Sequence, residues 1–186
     1  NPDRIKIPYP ERVLSVKFDS DLELLTTHIP PGSSNGVIKI EHFEGIYEYL
    51  KSKEKGPKIL CGDFNSPKLE TEDGEVVTWG QKINPLGKVR LSINPKWKNQ
   101  CTAQRWDLGE RNIIENHKSL GLKDAFRSIN SYEDKSGSLF TNKGIARRYD
   151  HLFVSEHIEV LDSSYDHKPR IERLSDHSPL ITNLKF

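Results

Sequence analysis

A chain of 186 residues has the length of about one domain, and 34% hydrophobic with 30% charged residues at a mean hydropathy of −0.69 describes a compact, polar-surfaced protein rather than a disordered one. Lys and Arg number 28 against 27 Asp and Glu, a net charge of +1, so no global field draws the chain to nucleic acid or an anionic membrane; any anionic substrate must be held by a local site. The apolar runs are a few residues long where a membrane span needs about 20. Cys61 and Cys101 form no Cys-x-x-Cys pair, which argues against a disulfide framework or zinc ribbon and favours a reducing compartment such as the cytoplasm.

In chain order, Arg12 to Phe18 and Leu22 to Ile29 read as two strands joined by an Asp19-Ser20-Asp21 turn. Pro30 to Gly36 collects loop residues, and Asn35 is placed to cap a helix after them. Val37, Ile40, Phe43, Ile46, Tyr47 and Leu50 recur at three and four, the core stripe of a helix ending near Gly56-Pro57. Lys58 to Cys61 is a short buried strand stopped by Gly62. Between Ser66 and Asn99 only a strand at Glu75 to Trp79 stands out from turn dipeptides. Asp107-Leu108-Gly109-Glu110 has the pattern of a capping box, with Ile113, Ile114, His117 and Leu120 on one helical face and Gly121 as the stop. Tyr149 to Ser155, His157 to Leu161 and Ser178 to Leu184 read as strands. No repeat or linker divides the chain, so residues 1–186 are taken as one domain.

Four polar clusters begin where apolar runs stop: Thr27-His28, Gly62-Asp63-Phe64-Asn65, Tyr149-Asp150-His151 and Ser175-Asp176-His177. Strand ends on a rigid scaffold can aim such groups into one cleft. Brought together, these carboxylates, imidazoles and an amide suit attack of water on a phosphoester. One carboxylate holds a hard divalent cation and another handles the attacking water, while a His-Asp pair meets the charge developing on phosphorus. Neither a Gly-x-x-x-x-Gly-Lys loop nor a His-Glu-x-x-His motif is present to support other readings.

Gly62-Asp63-Phe64-Asn65-Ser66-Pro67, Tyr149-Asp150-His151 and Ser175-Asp176-His177-Ser178-Pro179, in this order, resemble motifs of the endonuclease/exonuclease/phosphatase superfamily, the DNase I-like fold. His28 falls where some members carry His and the AP-endonuclease-like ones Tyr. The resemblance runs from about Arg12 to the end. It implies an α+β fold, a four-layer α/β/β/α sandwich, and hydrolysis of phosphoesters with Mg2+, or alternatively Mn2+. Position by position, it implies that Asp63 activates the water and Asn65 holds the phosphate. His177 would face the scissile phosphate with Asp150 as its partner, Asp176 would serve the metal, and His28 would assist at the leaving group. Family members also carry an Asn and a metal-binding Glu upstream of the His28 position; Glu11 is not in that place. With no Met and a start at Asn1, the expectation is an N-terminally incomplete domain. It would be weakly active alone and would expose a sheet edge through which copies pair.

Nucleic-acid phosphodiesters are the favoured substrate. The alternatives are a phosphatase on a small or lipid phosphoester, and an inactive fragment or binding module lacking the Glu ligand. No Arg follows Asn65 as inositol phosphatases usually show, and Thr141-Asn142 stands where AP endonucleases often have Trp. Lys39 is a further candidate for the phosphate, and Arg105, Arg147 and Arg148 are either phosphate contacts or a solvated rim. His42, His117, His157 and His167 are read as core or solvated, His151 as facing away from Asp150, Cys61 as a small buried hydrophobe, and Trp79, Trp97 and Trp106 as packing, with base stacking the lesser alternative.

Overall fold

The computed structural model describes residues 5–52 and 56–186. β1 (Val13–Lys17) and β2 (Glu23–His28) form the expected antiparallel hairpin. Its turn puts Asp21 at φ 60, with the Asp21 amide donating to the Phe18 carbonyl at 3.0 Å. The loop after β2 is tighter than expected: α1 (Gly32–Asn35) is one helical turn, and Asn35 donates its amide back to the Pro31 carbonyl instead of capping the next helix. α2 (Val37–Ser52) buries Ile40, Phe43, Ile46 and Leu50 as its spacing dictates, and Lys39 and His42 as well. The expected stop near Gly56-Pro57 lies across residues 53–55, outside the described residues.

β3 (Lys58–Asp63) returns parallel to β2 and does not end at Gly62. That glycine has φ 135, and a Cβ there would lie 1.9 Å from the Thr27 carbonyl oxygen. Glycine is therefore what allows the ladder to continue two residues past Cys61, to Asp63. In the middle of the chain, β4 (Leu69–Glu70) pairs with β5 (Val76–Val77), and β6 (Gln81–Ile83) with β7 (Val89–Leu91), where one strand was expected. α3 (Ala103–Ile114) starts earlier than its apparent capping box. Thr102 is the N-cap, its hydroxyl accepting from the Arg105 amide at 3.1 Å, while Asp107 and Glu110 lie inside the helix. A 3-10 turn over Asn116–Leu120 then closes at Gly121, φ 70.

β8 (Leu122–Asp124), α4 (Ala125–Ile129), β9 (Leu139–Phe140) and β10 (Ala146–Arg147) had no clear sequence signal. β11 (Asp150–Ser155) runs antiparallel between β3 and β8. β12 (Glu159–Tyr165) and β13 (Leu180–Lys185) pair with each other, both displaced toward the C-terminus from the expected spans, and α5 (Lys168–Ile171) lies between them in sequence.

The main sheet has the order β1-β2-β3-β11-β8. On one face α2 and α3 close a core of Ile40, Phe43, Ile46, Leu60, Ile113 and Phe153. On the other, Ile59 and Val154 meet Ala125, Ile158 and Val160, carried by α4 and by the approach to and start of β12. The result is an α+β sandwich: helices, a five-stranded sheet, then a two-stranded sheet with α4 against β12. Among the described residues no helix is long and apolar enough to cross a membrane.

Candidate active site

Pairing across the sheet sets the site. His28 on β2 is in register with Asp63 on β3, and Asp63 with Asp150 on β11, so three chain segments present one polar row at one end of the sheet. Cross-strand partners project to the same face and successive residues to opposite faces. Asp63 and Asp150 thus share the open side, while His151 points inward as expected, 2% exposed, bonded through Nε2 to the Ser66 carbonyl at 2.8 Å.

The turn after β3 is pinned by Phe64, fully buried edge-on against His151 and Phe153, its amide donating to the Tyr149 carbonyl. Asn65 can then take φ 50, a region Asn tolerates. Its backbone amide donates to Asp63 Oδ1 at 2.8 Å, and its side-chain Nδ2 donates to Asp63 Oδ2 and to the Ile29 carbonyl, both at 3.0 Å. Both amide hydrogens are spent inside the protein, so here Asn65 orients the Asp63 carboxylate.

Lys39 is not at the phosphate position. Its side chain is 1% exposed; Nζ donates to the Asn65 carbonyl at 2.7 Å and pairs with Glu110 at 2.9 Å. Glu110 also accepts from Ser66 Oγ, the Trp79 amide and Trp106 Nε1. An ammonium at this depth needs its carboxylate, and its burial lowers its pKa. Lys39 braces the Asn65 turn from beneath.

His177 reaches the row from the segment before β13. A bridge to Leu139 and the Ser178 amide bonded to the Ser138 carbonyl hold it there. Its Nδ1 donates to Asp150 Oδ2 at 2.6 Å, leaving Nε2 to meet a substrate oxygen. Asp150 is itself fixed by Ser138 Oγ, which accepts its amide, and by the Tyr165 hydroxyl, which donates to its carbonyl. His167, read from the sequence as core or solvated, bonds Ser178 Oγ at 2.9 Å behind this loop. Ser138 and Tyr165 had no local sequence signal, and Glu110 showed only as the end of an apparent capping box. His28 Nε2 lies 3.8 Å from Asp63 Oδ2 and is 60% exposed.

The hydrogen bond to Asp150 raises the His177 pKa above the ordinary 6.5. Burial raises that of Asp63 above 3.8, and the nearby charge of Asp150 adds to this, against the Asn65 amide, which lowers it. Asp176 is exposed beside His177, which feels its charge. Asp63, Asp150 and Asp176 are hard oxygen donors of the kind Mg2+ takes. Among the described residues, however, no group of three or more His, Cys, Asp or Glu converges as a ligand set.

Other candidates lie elsewhere. Arg105 forms a two-pronged pair with Glu44, Arg148 is buried between Glu70 and Asp124, and Arg147 donates to the Lys68 carbonyl and lies over Trp79. His42 is buried against Thr27, with burial pushing its pKa down to about 4. Ser34 lies in a Gly-x-Ser-x-Gly spacing that escaped the sequence reading, but its hydroxyl bonds Pro31 and Asn35 rather than a histidine, unlike a nucleophile elbow.

The fold of this sandwich is similar to that of solved structures of endonuclease/exonuclease/phosphatase proteins. The structure of the 3′ phosphatase NExo from Neisseria bound to product DNA hairpin matches with a TM-score of 0.63 and 19% identity over 94% of this chain and 65% of that one. An endonuclease/exonuclease/phosphatase from Beutenbergia cavernae matches with 0.55 and 16% identity, and a family protein from Leptotrichia buccalis with 0.52 and 16%, each over 94% of this chain and over 38% and 52% of theirs. The chain thus spans between about two fifths and just under two thirds of the length of these proteins. No family model and no curated protein matches it in sequence.

Proposed function

We propose that this site hydrolyses phosphoester bonds, with a nucleic-acid phosphoester as substrate. The observation that carries the reading is the in-register row His28, Asp63 and Asp150 with His177 Nδ1 locked on Asp150 at 2.6 Å. The row pairs a carboxylate that can take a proton with an imidazole that can carry one, across a gap open to solvent. Asp63, turned by Asn65, accepts the proton of the attacking water. His177, kept protonated by Asp150, faces the phosphoryl oxygens through Nε2 and neutralises charge that grows in the transition state. His28, the most exposed of the set, is free to meet the leaving-group oxygen.

Asp176 together with one of the row's carboxylates would hold a divalent cation, Mg2+ or Mn2+. Bound there, it would supply further neutralisation of phosphoryl charge. The DNA hairpin held by the Neisseria phosphatase favours nucleic acid over a small phosphoester.

The test is turnover of a 3′-phosphorylated DNA hairpin and of bis(p-nitrophenyl) phosphate with MgCl2. Asp63→Ala and His177→Ala should each lower kcat/KM by about 10²- to 10⁴-fold with little change in melting temperature. Unchanged turnover in both variants would sink the assignment. Strong, selective Mg2+ or Mn2+ binding by this chain would count against a purely non-catalytic module.

A further inference from the structure

The chain's three tryptophans, Trp79, Trp97 and Trp106, all line one cavity of ≈ 260 Å³, with Pro31, Ile93 and Tyr149 among its other walls. Asn65 stands in the same lining, so the cavity adjoins the polar row: the residue that orients Asp63 also borders the apolar space. Its polar members, Ser33, Asn94 and Asn65, are uncharged, and no charged side chain contributes to the lining.

That composition selects among the groups a phosphate could carry. A polyol would leave hydroxyls against apolar walls without partners, and a charged head group would meet no counter-charge in the lining itself, Arg147 and Lys68 being engaged over the Trp79 ring at its edge. A flat, uncharged ring system gains stacking there whatever its substituents. The walls are also set in advance. Trp106 Nε1 donates to Glu110 at 2.8 Å, and Gly32 sits so close that a Cβ would come within 2.4 Å of the Trp106 ring. The Trp97 side chain, 8% exposed, keeps a buried indole N–H with no hydrogen-bond partner among the described residues.

We propose that this cavity receives the base-bearing nucleoside attached to the scissile phosphate, so that the site selects nucleotides by their ring as well as by their phosphate. The proposal rests on the phosphoester reading above for the position of the phosphate.

Three probes separate the two readings: adenosine 3′-monophosphate, glycerol phosphate and adenosine itself, titrated into this chain by tryptophan emission and equilibrium dialysis. The nucleotide should bind at least about tenfold more tightly than glycerol phosphate, and adenosine should quench emission saturably. Ser33→Phe, which fills the cavity from its exposed side, and Trp79→Ala, at its rim, should bring the nucleotide down toward glycerol phosphate. Equal affinity for the two phosphates overturns the proposal, as does full discrimination retained in Ser33→Phe, and either result leaves hydrolysis through Asp63 and His177 standing. If adenosine binds and Ser33→Phe releases it while Asp63→Ala and His177→Ala leave hydrolysis untouched, the cavity stands and the phosphoester reading falls.

Discussion

Asp150 and His151 are neighbours on β11, yet they belong to two different electrostatic settings on opposite sides of the strand. On the inner side, His151 sits beside Arg148, which spans Glu70 at 2.8 Å and Asp124 at 2.7 Å, with Arg127 also on Glu70. Burial alone would raise the Asp124 pKa, but the charges of Arg148 and His151 outweigh it and hold the carboxyl well below its usual range. On the outer side, Asp150 and His177 are each about a quarter exposed, and Asp63 faces a second carboxylate, with burial pushing its pKa up. Both sides hold Asp and His, and only the inner one adds arginines. Opposite charges sealed together make a structural clamp, whereas like charges left open to solvent make a reactive group.

The largest expected effect lies on the inner side. Arg148→Met would leave Asp124 and Glu70 buried with one cation fewer, and should destabilise the fold by about 3–5 kcal/mol in urea unfolding. Asp150→Asn removes one half of a partly exposed pair and should cost no more than about 1 kcal/mol. Equal costs for the two variants would erase the distinction between the two sides.

Asp150→Asn should act on activity through pH instead. On the proposed mechanism hydrolysis needs Asp63 ionised and His177 protonated, so the rate should rise above a carboxylate pKa raised from 3.8 and fall above a histidine pKa raised from 6.5. Removing the Asp150 charge lowers the His177 pKa, and the alkaline limb of kcat/KM should move to lower pH. Stability carries the same sign. A raised histidine pKa contributes stability fully below 6.5 and loses it as pH rises through the folded value. The gap in melting temperature between wild type and Asp150→Asn should therefore narrow at alkaline pH. An alkaline limb unmoved by Asp150→Asn would detach His177 from the rate.

The outer side was largely legible in the sequence, because polar residues that begin where an apolar run ends mark a strand end by composition alone. His28, Asp63, Asn65, Asp150 and His177 come together in the structure for that reason. Misreadings arose where a distant atom decides. Gly62 looks like a stop until the Thr27 carbonyl is placed against it. Asp107 and Glu110 imitate a capping box, but Asp107 accepts from the Thr78 hydroxyl and Glu110 pairs with Lys39, so Thr102 begins the helix. The inner side left almost no trace. Glu70 meets Arg127 and Arg148 at separations of 57 and 78 residues, and pairings of that range impose no local period.

The smallest expected effect is the one that most directly opposes stability to function. The Asp63 pKa is raised, so its contribution to stability is fully present below 3.8 and is lost as pH rises through its folded value; at neutral pH its charge is a net burden on the fold. Asn at this position keeps an oxygen for the Asn65 backbone amide and removes the repulsion from Asp150, which outweighs the loss of the partly exposed hydrogen bond from Asn65 Nδ2 to Oδ2. Asp63→Asn should therefore raise the melting temperature slightly at pH 7, with the gain fading toward pH 3.8, while abolishing turnover. Such a variant would place Asp63 with the reactive groups of the outer side. A fall in melting temperature at pH 7 would instead show the carboxylate working as Asp124 does, as part of a clamp, and would take the proton acceptor out of the proposed site.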